Sequence, residues 1–581
     1  MKKIINDPTT VVREMCAGIA LAHPELTFEP KYKIIYKKNL NPSKVTLISG
    51  GGSGHEPAHA GFVGQGMLDA AVCGDVFASP SQIQVYQAIR KTASNAGTLL
   101  IIKNYSGDIM NFRNAAFLAQ EDGITVDYVK VDDDIAVKDS LYTVGRRGVA
   151  GTVLVHKIAG AAAETGKSLA EVKAAAEKAA ANVKSIGFAF TSCTVPAKGT
   201  PTFELGENEM EYGVGIHGEP GIRRETVAPA SELAARMTEA LCQELGETKR
   251  AAVLVNGFGA TPLMELYLFY YQVAQELVKR GVTVTRAFVG NYMTSIDMSG
   301  ASLSILKLDE ELEELLNAPN DAPAFKVNGQ VDVVQMPDIS EKAQEGDYTY
   351  AIETPSEYAA VGKELSLQNI IFMVDAMCES AIRNEVPFCE LDSHAGDGDF
   401  GMSIAKGFRQ LKKEWKSIIS MENLNISSFL NACSLVIMEH CGGASGPIWG
   451  SAFRAAARSA AGKETLSAND FSALISAAVH GVQATGERSF GRGAVVGDKT
   501  LIDALIPCAD SWTASVKANA AWKEAFVSGA EAAMSGAKST EKIAARMGRA
   551  GTVGERSIGY ADAGAYGLAV LFADITQRLQ F

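Results

Sequence analysis

Short runs of β-branched residues alternate with alanine-rich stretches through the first 335 residues of the chain, and then the runs stop. A chain of 581 residues is too long for one hydrophobic core, so this change of pattern predicts two kinds of structural unit. Alternation of strands and helices is typical of α/β layers on a largely parallel sheet, which bind ligands at the carboxyl ends of the strands. Five runs are predicted to be buried strands: 44–49, 98–102, 124–131, 251–255 and 282–288.

A polar stretch divides the chain in two. Residues 336–360 are acidic, contain two prolines and lack periodicity, which predicts a linker between domain 1–335 and domain 361–581. Beyond the linker, apolar residues recur at helical spacing, so the second domain is predicted to be all-α. The helical segments are 365–415, 427–440, 446–461, 469–484, 500–517, 522–547 and 563–579.

Charge and cysteine content limit the possible partners and location. The net charge of −13 argues against a nucleic-acid or anionic-membrane partner, because both require basic patches. The nine cysteines are scattered and show no CxxC pair, which is typical of a reducing compartment. The N-terminus lacks an apolar signal-peptide core, and no apolar run is long enough to span a bilayer. We therefore expect a cytoplasmic protein.

Three aspartates, Asp392, Asp397 and Asp399, stand within eight residues, interrupted by glycines and without lysine or arginine. Like charges in one turn repel each other unless a cation or protons neutralise them, and oxygen-only ligands suit Mg²⁺. The spacing excludes an EF-hand, but a solvated acidic turn remains an alternative. Glycine-rich motifs at 442–447 and 497–500 favour a nucleotide site instead.

Two histidines of the first domain stand out because glycines leave their rings open to a pocket. His55 follows four glycines in the motif 49–57, and His217 lies among glycines in 212–224. A further motif at 102–108 brings a lysine and an aspartate to the end of a predicted strand. His59 could be a second ligand on one helical face, but nothing else supports a zinc site. The other histidines are predicted to be structural, with the one at 394 supporting the acidic turn: His23, His156, His394, His440 and His480.

Together these motifs resemble the dihydroxyacetone kinase family. Segments 50–61, 103–108 and 215–219 are similar to its substrate domain, and segments 392–399, 442–446, 497–500 and 548–559 are similar to its nucleotide domain. The similarity runs through the whole chain in family order. It is that of the single-chain, ATP-dependent form rather than the split form that takes phosphate from a phosphotransferase carrier. The resemblance implies a substrate domain of two α/β subdomains followed by an all-α helical barrel that binds ATP.

The resemblance also implies a covalent way to hold a short ketose. His217 would attack the carbonyl carbon of dihydroxyacetone and form a hemiaminal, which compensates for the few atoms that so small a ligand offers. Asp108 would be the general base that takes the proton of the terminal hydroxyl. His55 would hydrogen-bond the substrate and polarise the carbonyl oxygen. The remaining substrate-binding residues implied by the family are Gly52, Ser53, Gly54 and Lys103.

For the second domain, the resemblance implies that Asp392, Asp397 and Asp399 hold two Mg²⁺ ions that bridge the ATP triphosphate. Two positions depart from the family pattern, since Phe400 replaces a more polar residue and Ala563 stands where proline is usual. Both departures bear on the fit of adenine or phosphate. The nucleotide-contacting positions implied by the family are Asp397, Gly398, Asp399, Phe400, Ser403, Ala444, Ser445, Thr500, Leu501, Arg549, Asp562, Ala563 and Gly564.

Several alternatives remain open at this point. The substrate could be erythrulose or glyceraldehyde, because the histidine chemistry serves any short carbonyl sugar. A lyase that forms cyclic FMN from FAD would need the nucleotide domain and metal but not His217, and a non-catalytic regulator would not need the acidic triad. The resemblance further implies a homodimer in which the nucleotide domain of one subunit serves the substrate domain of the other.

Overall fold

The computed structural model describes residues 2–138, 145–333, 335–337, 350–547 and 554–581. It separates into two compact units, Met1–Glu341 and Lys342–Phe581. The first unit contains two six-stranded sheets, and the second is built from helices with one pair of two-residue strands. The predicted division into an α/β part and an all-α part is therefore confirmed.

The first sheet has the strand order β1-β2-β4-β3-β5-β6. Strands β3 to β6 run parallel to one another, whereas β2 pairs antiparallel with β1 and β4. Its strands are β1 (Leu26–Glu29), β2 (Ile34–Lys37), β3 (Thr46–Ser53), β4 (Ala70–Val76), β5 (Thr98–Lys103) and β6 (Val126–Val131). The associated helices are α1 (Val11–Ala22), α2 (Gln82–Thr92), α3 (Ser106–Glu121), α4 (Thr152–Glu164) and α5 (Leu169–Asn182).

Helices cover both faces of this sheet. Ile48 and Leu100 face a core shared with α2 and α3, while Leu47 and Leu99 face the opposite core, which includes α1, α4 and α5. Helix α4 is buried from its first residue to Ala163. Burial on all sides explains why apolar residues occur around the whole helix rather than along one stripe, and the buried Lys157 ammonium donates to the Leu315 carbonyl at 2.7 Å.

The second sheet has the order β11-β10-β12-β7-β8-β9. Only β10 and β11 pair in parallel, so the prediction of a largely parallel sheet is wrong here. The reason is that β12 follows β11 after nine residues (291–299), too short for a crossover helix, and returns antiparallel between β10 and β7. Its strands are β7 (Val183–Ala189), β8 (Glu209–Tyr212), β9 (Arg223–Thr226), β10 (Arg250–Gly257), β11 (Thr283–Gly290) and β12 (Gly300–Lys307). The unit is completed by α6 (Ala230–Leu245), α7 (Leu263–Lys279), α8 (Glu310–Asn317) and the hairpin β13 (Asn320–Ala322) and β14 (Phe325–Val327).

The second unit is a closed ring of helices, as the resemblance implies. Each helix from α11 to α16 packs against the next, α17 packs against both α16 and α9, and α9 packs against α11. No helix among the described residues combines the length and the apolarity that a bilayer span needs. The helices are α9 (Leu367–Arg383), α10 (Glu385–Asp392), α11 (Phe400–Ile419), α12 (Ile426–His440), α13 (Ser445–Ser459), α14 (Ala468–Phe490), α15 (Ile502–Lys517), α16 (Trp522–Ser539) and α17 (Ala563–Arg578). The two short strands are β15 (Leu365–Ser366) and β16 (Thr465–Leu466).

The chain enters this ring through a buried charge pair. Asp375 of α9 accepts hydrogen bonds from the backbone N–H groups of Glu353 at 3.0 Å and Thr354 at 2.9 Å. Its other oxygen accepts from Lys412 Nζ at 2.6 Å. Residues 350–360, which the sequence assigns to the linker, are thus fastened to the helical unit at this point. The linker residues 338–349 lie outside the described part of the chain.

Candidate active site

Three glycines of the first motif, Gly50, Gly51 and Gly52, lie inside strand β3, whereas Gly54 follows the strand with a φ of +101°. A Cβ atom on Gly50 would lie 2.4 Å from the Val72 carbonyl oxygen, and one on Gly52 would lie 2.7 Å from the backbone nitrogen of Ala78. Side chains are therefore excluded at these positions by the neighbouring backbone. Ser53, predicted to bind substrate, closes the strand, and its hydroxyl donates to the Gly74 carbonyl at 2.8 Å.

His55 is fully buried just beyond this strand, and its protonation is defined by its neighbours. Nδ1 lies 2.8 Å from the carbonyl oxygen of Thr294, which can only accept, so Nδ1 carries the proton. Nε2 lies 3.3 Å from Nε2 of His217. Burial first, and then the charge of Lys103, holds the pKa of His55 well below its ordinary 6.5. The imidazole is therefore neutral at neutral pH, and its Nε2 is free to accept a proton.

His217 comes from the connection between β8 and β9 and meets His55 edge to face, with ring centroids 4.7 Å apart. Two aromatic rings also contact it edge-on, Tyr105 at 4.5 Å and Phe77 at 5.3 Å. Desolvation in this setting, reinforced by Lys103, holds the pKa of His217 well below 6.5. Both predicted histidines are thus brought together, although 162 positions separate them in sequence.

Lys103 and Asp108 complete the pocket. Lys103 ends β5 and is fully buried, and its Nζ has no hydrogen-bond partner among the described residues. Asp108 lies in the first turn of α3 and is 4% exposed. A Cβ atom on Gly51 would lie 3.1 Å from Lys103 Nζ and 3.4 Å from Asp108 Oδ2, so the two charges approach each other beside this glycine. Burial lowers the pKa of Lys103 and raises that of Asp108, and each charge opposes the shift of the other.

Sequence reasoning missed several residues around the two histidines. Phe77 stacks on His55 at 5.1 Å and has a backbone φ of +57°. Tyr105 lies inside the predicted 102–108 motif but was not singled out. His59, considered as a second metal ligand, instead lies 3.0 Å from Nε2 of His156 through its Nδ1. Among the described residues, no histidine-containing group has the ligand geometry of a metal site.

The three aspartates of the second unit do form one cluster. Ligand oxygens of Asp392, Asp397 and Asp399 all lie within 4.8 Å of one another. Asp392 is the last residue of α10 rather than part of a loop, and a Cβ atom on Gly396 would lie 2.3 Å from its Oδ1. Burial raises the pKa of Asp392, although the Phe400 N–H group opposes this. A compact cluster of carboxylates, with one partly desolvated, fits a hard divalent ion such as Mg²⁺.

A cavity of about 180 Å³ opens beside this cluster. The N-terminal ends of α11, α13, α15 and α17 all contribute residues to its wall, so four positive helix ends converge on one space. This arrangement fits a polyphosphate. The predicted nucleotide-contacting residues in the wall are Asp397, Asp399, Phe400, Ala444, Ser445, Thr500, Leu501, Asp562, Ala563 and Gly564.

Three predicted nucleotide residues are not among the wall residues. Gly398 adopts a φ of +75° in the acidic turn. Ser403 lies next to Gly442: a Cβ atom on Gly442 would be 2.9 Å from the Ser403 hydroxyl. Arg549 lies outside the described residues.

Lys499, in the motif 497–500, belongs to the wall of the cavity, but its ammonium group is bonded to backbone carbonyl groups. Its ammonium donates to the carbonyl oxygens of Tyr560 at 2.8 Å, Ile543 at 3.2 Å and Ser557. It thereby holds the segment that leads into α17 against α15. Asp562, which caps α17 by accepting from the Ala565 N–H at 2.7 Å, has its pKa raised to about 7 by burial.

His394, predicted to support the acidic turn, stacks on Tyr560. The two rings are 3.8 Å apart and 9° from parallel. Because His394 lies between two of the clustered aspartates, this stack joins the acidic turn to the segment held by Lys499.

Comparisons with known proteins cover both units. Residues 17–324 match the family model described as the Dak1 domain, and residues 394–577 match the DAK2 domain. The PTS-dependent dihydroxyacetone kinase 1, dihydroxyacetone-binding subunit DhaK of Listeria innocua is 53% identical over 329 residues, 56% of this chain and 100% of that protein. The D-erythrulose kinase of Mycolicibacterium smegmatis is 34% identical over 98% of this chain and 97% of its own length. The crystal structure of the dihydroxyacetone kinase from C. freundii in complex with AMP-PNP and Mg²⁺ is 30% identical, covers 99% of both chains and superposes with a TM-score of 0.61.

Proposed function

Because the chain belongs to the dihydroxyacetone kinase family, we propose that it transfers the γ-phosphate of ATP to dihydroxyacetone and releases dihydroxyacetone phosphate. The observation that carries this proposal is the pairing of His55 with His217 beside Lys103 and Asp108. Dihydroxyacetone is proposed as the substrate because the first unit, which contains His55 and His217, is 53% identical to a dihydroxyacetone-binding subunit over the whole length of that subunit.

The substrate would be held as a hemiaminal on His217. His55 Nδ1 is protonated, so the hydrogen bond between the two Nε2 atoms runs from His217 to His55. The lone pair of an N–H nitrogen belongs to the ring π system, so His217 Nε2 becomes nucleophilic only when His55 takes its proton. The in-plane electron pair of the broken N–H bond then forms the bond to the carbonyl carbon, and the carbonyl π electrons move to oxygen. The proton then passes from His55 to that oxygen. The net change adds imidazole N–H across the C=O bond and leaves both histidines neutral, as their lowered pKa values require.

Asp108 would act on the hydroxyl that is phosphorylated. Its carboxylate accepts the hydroxyl proton while the oxygen attacks the γ-phosphorus and the bond to the ADP oxygen breaks. Burial raises the pKa of Asp108 and so makes it a stronger base than an exposed aspartate. Lys103, whose buried Nζ has no hydrogen-bond partner among the described residues, would donate to a substrate hydroxyl.

The cavity of the second unit would hold ATP, with its phosphates against the converging helix ends. Asp392, Asp397 and Asp399 would hold Mg²⁺, which when bound neutralises negative charge on the phosphate oxygens. Neither departure from the family pattern opposes this. Phe400 packs against Phe388, with ring centroids 5.9 Å apart, and Ala563 takes the first helical position of α17, where proline is also favourable.

We also propose the homodimer in which nucleotide and substrate units cross between subunits. One face of α7 is apolar and exposed, with exposed fractions of 54% for Leu263, 77% for Met264, 55% for Tyr267 and 51% for Leu268. Apolar patches of this kind mark protein contacts. A cytoplasmic location is supported by the nine cysteines, all of which are free thiols.

The function is tested by ADP release measured with dihydroxyacetone, glyceraldehyde, erythrulose and glycerol. The expected order places dihydroxyacetone first and glycerol at background, because glycerol has no carbonyl for His217. A higher kcat/KM for erythrulose would shift the assignment to a four-carbon ketose. Formation of cyclic FMN from FAD in the same samples, without ketose-dependent ADP release, would favour the lyase alternative.

A further inference from the structure

Behind His217 lies a group of linked charged side chains that the reaction itself does not use; Arg147 and Asp134 are buried, and Glu219 is partly buried. Arg147 is 2% exposed and all three of its guanidinium nitrogens are bonded. Nε donates to Asp134 at 2.6 Å, Nη1 donates to Glu219 at 3.0 Å, and Nη2 donates to the Gly213 carbonyl at 2.9 Å. These contacts use the planar fork of arginine, which a lysine cannot reproduce.

Glu219 connects Arg147 to the backbone of His217 through hydrogen bonds. Its Oε1 accepts a hydrogen bond from Arg147 Nη1, and its Oε2 accepts one from the backbone N–H of His217 at 2.8 Å. The approach depends on Gly215, where a Cβ atom would lie 1.8 Å from Glu219 Oε1 and 2.7 Å from Arg147 Nη1. Gly218, with a φ of +68°, lets the chain turn between His217 and Glu219.

The segment that carries Arg147 also touches the other side of the pocket. A Cβ atom on Gly148 would lie 2.8 Å from the backbone nitrogen of Asn104 and 2.9 Å from Cα of Lys103. Asn104 Nδ2 donates to the Arg146 carbonyl at 2.7 Å. Residues 146–148 therefore abut the end of β5, which belongs to the first sheet, while Arg147 reaches the His217 loop of the second sheet.

Such a group is a poor device for stability alone. Burying a guanidinium with carboxylates carries a large desolvation cost, and apolar replacements of similar volume are often at least as stable. Burial acts to lower the pKa of Arg147, but Asp134 and Glu219 more than offset it, so the side chain stays charged. What the group supplies is a fixed position for the loop 213–222, which carries His217.

We propose that Arg147 and Glu219 are positioning residues that hold His217 at the distance from His55 needed for hemiaminal formation. The inference rests on the proposed function, because it takes His217 as the nucleophile. A loop free to shift by about 1 Å would lose the contact between the two Nε2 atoms and, with it, the proton transfer that accompanies attack.

The test compares Arg147→Lys and Glu219→Gln with Arg146→Lys in the full-length protein. Arg146 is the matched control, because it is the neighbouring arginine and its ion pair with Glu244, at 3.0 Å, is partly exposed. Two readouts are taken: the carbonyl-carbon NMR signal of bound ¹³C-labelled dihydroxyacetone, which moves from the ketone to the tetrahedral region in a hemiaminal, and the kinetic constants for dihydroxyacetone and ATP.

We expect Arg147→Lys and Glu219→Gln to lose most of the tetrahedral signal and to lower kcat/KM for dihydroxyacetone roughly 10- to 100-fold, with the KM for ATP unchanged. Arg146→Lys should match wild type. If both variants keep the signal and the rate of Arg146→Lys, the positioning role is overturned. If Arg147→Lys does not fold, Glu219→Gln decides, since it retains the shape of the side chain. Absence of the signal in wild type would instead overturn the proposed function itself.

Discussion

The Nε2 atoms of His55 and His217 face each other at 3.3 Å, and the proton between them belongs to His217 because the other nitrogen of His55 donates to Thr294. The two histidines that we propose as nucleophile and base are therefore in hydrogen-bond contact. Both rings are kept neutral by burial and by the nearby charge of Lys103.

Lys103→Met should move the acid limb of the pH–rate profile upward. In wild type the pKa values of both histidines lie well below 6.5, so they lose function by protonation only as the pH falls well below that value. Removing the Lys103 charge leaves burial as the main cause and raises both pKa values towards 6.5. It also raises the pKa of Asp108, which Lys103 lowers, so all three shifts have the same sign. kcat/KM for dihydroxyacetone measured from pH 5 to 8 checks this, with exposed Lys130→Met as control, and an unmoved limb contradicts it.

Asp108→Asn and His217→Ala should separate binding from phosphoryl transfer. The first should retain the tetrahedral ¹³C signal of bound dihydroxyacetone while kcat falls roughly 10²- to 10⁴-fold, because only the general base is lost. The second should lose the signal and the discrimination against glycerol. Glu121→Gln, exposed at the end of α3, serves as control. A signal that survives in His217→Ala but disappears in His55→Ala would exchange the two histidine roles.

Asp397→Asn should abolish ATP turnover without loss of fold. It removes one ligand and one charge from a cluster whose oxygens lie within 4.8 Å. Since loss of an outer-shell partner alone costs about 10- to 100-fold in metal affinity, loss of a direct ligand should cost more. ADP release is titrated with Mg²⁺ and compared with Asp510→Asn, an exposed position on α15. Near-normal turnover at limiting Mg²⁺ would show that the cluster is only a solvated acidic turn.

Mixing Asp108→Asn chains with Asp397→Asn chains tests the crossed homodimer. Each variant alone should be inactive. If the nucleotide unit of one subunit serves the substrate unit of the other, a mixed dimer contains one site built from two intact units, and ADP release returns. If transfer stays within one chain, every chain carries a broken half. Subunit exchange is confirmed with a mass tag. If no ADP release returns after confirmed exchange, the crossed arrangement is wrong, but the proposed kinase chemistry is unaffected.

Lys499→Met should destabilise the helical unit rather than only weaken phosphate binding. The change leaves three carbonyl oxygens without their donor, and each buried unsatisfied group costs about 1–3 kcal/mol. Calorimetry of the full chain without nucleotide measures the loss, with exposed Lys517→Met as control. Unchanged thermal stability together with lost ATP binding would mean that Lys499 serves the phosphates directly.

Much of the fold could be predicted from local pattern, but not the strands that depend on distant neighbours. Strands β3, β5, β6, β10 and β11 could be predicted because each contains a run of β-branched residues. Strand β4 could not be predicted in this way, because it consists largely of small residues that fit beneath packed helices. Strand β12 determines that the second sheet is mostly antiparallel, and nothing local specifies its insertion between β10 and β7.

The site divides in the same way. Motif residues such as His217 and Asp397 could be found because glycines or clustered acids mark them in sequence. Arg147 could not, since it lies outside every motif that the sequence marks and meets Glu219 across 72 positions only when the chain folds. Phe77 likewise becomes part of the site only when β4 brings its ring over His55.

The burial of the Lys499 amine determines whether reagents that acylate lysines in ATP sites can modify it. Acyl-phosphate derivatives of ATP label a lysine only when its amine reaches the reactive phosphate with a lone pair available. Lys499 is 1% exposed, and its three N–H bonds are directed at three carbonyl oxygens. The amine of the 497–500 motif would thus remain unacylated beside a bound reagent. A proteome-wide survey that identifies ATP users by labelled lysines would find no mark at this motif.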